Sequence, residues 1–71
     1  MNTTIAPIAS IGEIRVGDSV RTRAGRLDWR VTRVTELSVT IVLYTNDGRL
    51  RLDTKTHREI ARGALRRPIY T

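Results

Sequence analysis

The tripeptide Asn46-Asp47-Gly48 constrains the fold of this chain more than any other feature. It lies between two segments in which apolar and polar residues alternate, residues 39–45 and residues 49–53. A turn of this type, with a glycine that takes a positive φ, joins two antiparallel strands by a tight reversal. We therefore predict a β-hairpin at this point of the chain.

The two strands of this hairpin differ in how they distribute apolar residues. Residues 39–45 are apolar on both faces, which favours a position in the middle of a sheet or at an interface. In residues 49–53 the side chains alternate, so Leu50 and Leu52 are predicted to face the core. The residues predicted to face solvent are Arg49, Arg51 and Asp53.

A second hairpin is predicted earlier in the chain, from about residue 19 to residue 34. Its turn is assigned to Ala24-Gly25-Arg26, with Gly25 in the left-handed region. The apolar alternation of the second strand shifts phase because Val31 and Val34 are three residues apart. A β-bulge near Thr32-Arg33 would restore the phase and sharpen the curvature of the strand.

After residue 53 the pattern changes from strand to helix. Thr56 and Glu59 have the spacing of a capping box, and apolar residues then recur at helical spacing as far as Leu65. A short helical turn that ends before Pro68 is the favoured interpretation. One turn of helix followed by a strand over residues 64–67 fits almost as well.

Length and composition limit the chain to one small domain. It has 71 residues, no cysteine, no phenylalanine and one histidine, so neither a disulfide nor a structural zinc site is expected. We predict a mainly β fold, an SH3-like barrel of about five strands with one short helical turn near the C-terminus, because closure removes open edges. The predicted divisions are a partly ordered N-terminal arm (1–12), the barrel (13–67) and a C-terminal tail (68–71).

Two motifs carry a resemblance to a known family group. Val16-Gly17-Asp18-Ser19-Val20, a turn at Gly25, and then Trp29-Arg30-Val31-Thr32-Arg33-Val34 resemble the start of SH3-like small barrels of the KOW and Tudor sort. The resemblance covers about residues 14–66. It implies a non-catalytic domain that binds nucleic acid or other proteins through loops and one barrel face.

The charge of the chain points to a polyanionic partner. Thirteen basic residues, twelve of them arginine, and seven acidic residues give a net charge of +6. Guanidinium groups match the geometry of phosphate, and a field of this sign attracts DNA or RNA. The residues predicted to contact the phosphate backbone from one barrel face are Arg21, Arg23, Arg26, Arg30, Arg33, Arg49 and Arg51.

Trp29 and Tyr44 are the candidate platforms on which unpaired bases would stack. Trp29 shares its predicted face with Leu27 and Val31, and this placement favours a core position over a stacking role.

Catalytic chemistry has little support in the sequence. There is no cysteine nucleophile, no phosphate-binding glycine loop and no paired acidic residues, and His57 is the single histidine. We therefore expect no enzyme activity, no cofactor and no metal.

The alternative function is a protein-interaction or assembly module, for example a small phage or viral accessory protein. It would pair with a protein partner or a second copy through residues 39–44 or an exposed barrel edge. No membrane-spanning or secretory segment is expected, because the longest apolar run is four residues. These features predict a cytoplasmic protein, or one associated with a virion if the alternative holds.

Overall fold

A single antiparallel sheet organises the chain, and the strand with the most buried residues runs from Ser38 to Tyr44. The computed structural model describes residues 2–70. In chain order its elements are β1 (Thr3–Pro7), a 3-10 turn (Ile11–Glu13), β2 (Ser19–Thr22), β3 (Trp29–Val34), β4 (Ser38–Tyr44), β5 (Leu50–Thr56), α1 (His57–Ala61) and β6 (Leu65–Tyr70).

The sheet is a curled half-barrel with the strand order β1-β6-β2-β3-β4-β5. The mainly β fold with a short helix near the C-terminus is confirmed, with six strands in place of about five. All ladders between residues 2 and 70 are antiparallel, and none joins β1 to β5. Two edges of the sheet therefore stay unpaired.

The core is aliphatic and lies on the concave face of the sheet. Because opposite residues of a ladder share a face, Val31 and Ile41 point inward together, as do Val34 and Val39. The register shifts between Val31 and Arg33, which confirms the predicted bulge. The buried cluster consists of Ile8, Ile14, Val20, Val31, Val39, Ile41, Ile60 and Leu65.

The hairpin at Asn46-Asp47-Gly48 is confirmed, with Gly48 at a φ of 81°. The predicted orientation of β5 is wrong. Leu50 and Leu52 are 50% and 66% exposed, because they lie opposite Tyr44 and Val42 on the convex face. The inward positions of β5 instead carry Arg51, Asp53 and Lys55, opposite the core-facing side of β4.

The turn between β2 and β3 also differs from the prediction. Gly25 does not take a positive φ. Its backbone N–H donates to the Thr22 carbonyl at 3.2 Å, and a Cβ at position 25 would overlap Thr22 Oγ1. A side chain at position 25 would therefore require the Thr22 hydroxyl to move, and the left-handed conformation is not the reason for glycine here.

Both ends of the chain form strands where the sequence suggested an arm and a tail. β1 pairs with β6, so that Ile5 lies opposite Pro68 and Ala6 opposite Arg67. β1 has three exposed residues in succession, so its side chains do not follow the alternation expected of a half-buried strand.

The Thr56–Glu59 capping box is confirmed at the start of α1. The helix ends at Ala61, so the alternative of one helical turn followed by a strand is the observed one, and Pro68 lies within β6.

Replacing Ile41 with alanine should destabilise the fold severely. Ile41 is fully buried on β4, and truncation of such a side chain costs about 2–5 kcal/mol. A 71-residue domain has roughly 4–10 kcal/mol of stability in total. Urea denaturation of Ile41→Ala and of Leu27→Ala, at a position 61% exposed, should show a large loss for the first variant only. Equal losses would contradict the assigned core.

Candidate functional site

An open cleft lies between residues 22–29 and the inward face of β5. Its main part has a volume of about 660 Å³ and is lined on one side by Arg26, Leu27 and Trp29. The opposite side contains Arg51, Asp53 and Lys55. A neighbouring depression of about 370 Å³ shares Thr22 and Lys55 and extends to the end of α1. We call the two together the basic cleft.

One wall of the basic cleft is the connection from β2 to β3. A pair between Arg21 Nε and Asp28 Oδ1, 2.6 Å apart, ties the two ends of this connection together. The Arg21 side chain is 19% exposed, so this pair is better shielded than an ordinary surface ion pair. It holds the intervening residues in a position where Arg26 and Leu27 line the cleft.

The other wall of the basic cleft is the inward face of β5, which is an edge strand. Arg51 and Lys55 lie opposite Leu43 and Val39, on the face of the sheet that carries the core. The core ends before it reaches them, because no ladder covers this edge in residues 2–70. Arg51 is exposed there, whereas the Lys55 side chain is 22% exposed and lies 3.2 Å from Asp53 Oδ2.

The charged residues that line the basic cleft are five cations and two carboxylates, a formal charge of +3: Arg23, Arg26, Arg51, Lys55, Arg62, Asp53 and Glu59. Lys55 is paired with Asp53, and Arg23 Nη2 donates to the Arg62 carbonyl at 3.3 Å. Within residues 2–70, the guanidinium groups of Arg26, Arg51 and Arg62 make no ion pair or hydrogen bond with the protein. These three groups are free to bind an anion.

Trp29 joins the cleft to the core. It is half-buried, packs against the buried cluster and lies opposite Val20 in the ladder between β2 and β3. It also lines the main part of the basic cleft. The sequence presented a core position and a binding position as alternatives, and the geometry of Trp29 is compatible with both at once.

The predicted arginines do not form one group. Arg21, Arg30 and Arg33 lie on the convex face, opposite Arg66, Val42 and Thr40 respectively. Arg23, Arg26 and Arg51 line the basic cleft instead. Arg30 and Arg33 are exposed and have no ion-pair partner in residues 2–70, whereas Arg21 is held by Asp28.

The remaining two predicted residues lie at the far end of the second hairpin. Arg49 Nε is 3.4 Å from Asp47 Oδ2, and both side chains are highly exposed. Tyr44 is 73% exposed on the convex face, outside the basic cleft.

Lys55 and Arg62 were missed by sequence reasoning. Lys55 could have been found by extending β5 beyond residue 53, because it follows Arg51 and Asp53 at two-residue spacing and so shares their face. Arg62 could not be placed because its position depends on where α1 ends.

Glu59 holds the start of α1 at the rim of the basic cleft. Its Oε1 accepts from the Thr56 backbone N–H at 3.0 Å and from the Thr56 hydroxyl at 3.1 Å. The backbone bond, followed by the hydroxyl bond, lowers the pKa of Glu59 below its ordinary value of 4.5. The pKa of Glu13 is lowered in the same way by the backbone N–H groups of Ser10 and Ala9.

No family model, curated protein or solved structure matches the chain. Among residues 2–70 there is no cluster of three or more His, Cys, Asp or Glu side chains that could hold a metal ion. The same part of the chain has no helix long and apolar enough to cross a membrane.

Acidification should destabilise the fold through these capping carboxylates. A carboxyl whose pKa is lower in the folded state stabilises the fold at pH values above its unfolded pKa, and this contribution disappears as the pH falls through its folded pKa. Glu59→Gln keeps a side-chain oxygen for the capping box but removes the titrating charge. Thermal melts between about pH 5 and about pH 3 should therefore show a smaller pH dependence for this variant than for the native chain.

The control is Glu36→Gln, which removes an exposed carboxylate without a hydrogen bond within residues 2–70. It should leave the acid dependence of the melting temperature close to native. If the two variants have the same dependence, the capping role assigned to Glu59 is wrong.

Proposed function

We propose that this chain is a non-catalytic nucleic-acid-binding module that holds the phosphate backbone in the basic cleft. The observation that supports it most is the convergence of cations from three separate parts of the chain. Arg26 and Arg51 line the larger depression and Arg62 lines the neighbouring one, which shares Thr22 and Lys55 with it. None of the three guanidinium groups has a protein partner within residues 2–70. This proposal replaces the convex arginine-bearing face with the cleft as the main contact surface.

Phosphate is the ligand chemistry that suits these groups best. A guanidinium offers a planar set of donors that matches two phosphate oxygens, and it stays charged at any physiological pH. The net charge of +6 adds a long-range attraction that raises the rate of encounter with a polyanion. Contacts of this kind read the backbone and give little sequence selectivity.

Single-stranded nucleic acid fits the cleft better than a duplex does. Trp29 lies among the cations with part of its ring accessible, and an unpaired base can stack on such a ring. The resemblance to KOW and Tudor barrels agrees with this proposal through what it implies, binding by loops and one face. His57, the only histidine, lines a different surface beside Glu36 and Leu37, so no catalytic group is assigned.

A second candidate function is protein assembly through an open strand edge. It is favoured by β5, whose convex side carries the exposed Leu50 and Leu52. Residues 39–44, named in the sequence analysis for this role, are unsuitable because β4 is paired on both sides. We place either function inside a cell, or in a virion if assembly is the role.

Removing two cleft arginines should weaken nucleic-acid binding and its dependence on salt. For a single strand, each phosphate contact contributes about −0.7 to the slope of log K against log salt concentration. The slope measured with fluorescein-labelled oligo(dT) should lie between about −2 and −4 for the native chain and shallower by about 1.4 in Arg26→Ala/Arg62→Ala.

The matched control is Arg15→Ala/Arg33→Ala, which removes the same charge from exposed positions outside the basic cleft. This variant should bind almost as tightly as the native chain. Equal losses in both double variants would show attraction by net charge without a site. An absence of binding by the native chain at low salt would overturn the proposal.

A further inference from the structure

The outer edge of β5 presents backbone groups that no other strand in residues 2–70 uses. Two bonds fix the hydrogen-bonding phase of the ladder with β4: Thr45 N–H donates to the Arg49 carbonyl at 2.9 Å, and His57 N–H to the Leu37 carbonyl at 3.0 Å. Because bonded and non-bonded pairs alternate in an antiparallel ladder, the odd-numbered residues of β5 bond to β4. The even-numbered residues, from Leu50 to Thr56, direct their N–H and carbonyl groups outward.

Side chains of the same chain already use two of these outward N–H groups. Asp53 Oδ1 accepts from the Thr54 N–H at 2.8 Å, and Glu59 Oε1 accepts from the Thr56 N–H at 3.0 Å. Within residues 2–70, the N–H groups of Leu50 and Leu52 have no such side-chain acceptor. The part of the edge that is open for pairing is therefore the first half of β5.

The same half of β5 carries an exposed apolar patch. Leu50, Leu52 and Tyr44 are 50%, 66% and 73% exposed, and they lie around the buried Val42 on the convex face. An exposed apolar surface beside an unpaired strand edge is typical of a site that adds another strand. The other edge, β1, ends at Pro7, which has no N–H to donate.

We propose that β5 pairs antiparallel with β5 of a second copy of this chain, around a two-fold axis at Leu52. The charge pattern of the strand selects both the partner and the register. With Leu52 opposite its own copy, Arg51 lies opposite Asp53 twice, once on each side of the axis. Opposite charges at facing positions of a ladder stabilise the pair, and like charges destabilise it.

The neighbouring two-fold registers are disfavoured by the same rule. An axis at Arg51 places Arg51 opposite Arg51, and an axis at Asp53 places Asp53 opposite Asp53. In the register centred on Leu52, the outward groups of Leu50 face those of Thr54 in the second copy. Asp53 Oδ1 then leaves the Thr54 N–H and pairs with Arg51 of the second copy, while Oδ2 keeps its pair with Lys55.

The charge pattern also limits the length of the new ladder. Arg49 would lie opposite Lys55, so pairing extends only over residues 50–54 of each copy. Leu50, Leu52 and Tyr44 of the two copies would form one apolar patch across the axis on the convex face. A ladder this short gives a weak dimer that depends on concentration.

The interface shares Arg51, Leu52 and Asp53 with the basic cleft, so the second copy and a bound phosphate would compete for the Arg51 guanidinium. The nucleic-acid test uses Arg26 and Arg62, and the interface test uses Arg51, Asp53 and Leu52. The failures of the two proposals are therefore distinguishable.

Sedimentation equilibrium of the full chain, up to about 1 mM, tests the interface. The native chain should dimerise, and Arg51→Asp or Asp53→Arg alone should raise the dissociation constant at least ~10-fold, about 1.4 kcal/mol. The double exchange Arg51→Asp/Asp53→Arg restores the facing pairs and should return the constant to near the native value. A native chain that remains monomeric, or a double exchange without rescue, would overturn the proposal.

Amide hydrogen exchange identifies the edge directly. In the dimer the Leu52 and Leu50 N–H groups should become protected as concentration rises, while protection at β1 should stay constant. A dimer in which the Leu52 amide keeps its exchange rate would overturn the register. If Asp53→Arg does not fold, Leu52→Lys, at an exposed position, provides the charge test, and retention of the native dimer would then be the contradicting result.

Discussion

The packing of aliphatic side chains against the inward face of β4 is the interaction on which the rest of the structure depends. Val39 and Ile41 are fully buried there, and β3, β2 and β6 add Val31, Val20 and Leu65 respectively. With no cysteine and no phenylalanine, the sheet reaches enough burial only by curling around these small branched residues. The bulge in β3 provides part of that curvature, because it keeps the apolar residues on both sides of it facing inward.

The incomplete curvature of the sheet explains why cationic side chains lie together at its open side. The sheet does not close, since β1 and β5 are not joined by a ladder in residues 2–70. The inward face of β5 therefore leaves the core and reaches the open side of the sheet, where Arg51 is exposed and Lys55 pairs with Asp53. The basic cleft and the unpaired edge are two consequences of the same incomplete closure. One offers charge to a polyanion, and the other offers backbone groups to a strand.

The sequence predicts those elements that local rules determine. The hairpin at Asn46-Asp47-Gly48, the bulge after Val31 and the capping box at Thr56 all depend on residues adjacent in the chain. The inward positions of β5 could not be predicted, because alternation gives two faces without saying which one the core uses. Leu50 and Leu52 are apolar and were therefore assigned to the core face, but both are exposed. β1 was missed because its pairing with β6 joins the two ends of the chain. Arg21 was assigned to the site because its ion pair with Asp28 could not be predicted. That pair depends on the conformation of the intervening turn.

The central claim is that nucleic acid occupies the basic cleft between residues 22–29 and β5. Chemical-shift mapping of the isotopically labelled chain with oligo(dT) measures this most directly. The account predicts shifts of the Trp29 indole N–H and of the backbone amides of residues 22–29 and 51–55, with smaller changes at Arg33 and Tyr44. Shifts concentrated at Arg30, Arg33 and Tyr44 on the convex face, with the Trp29 indole unchanged, would contradict it.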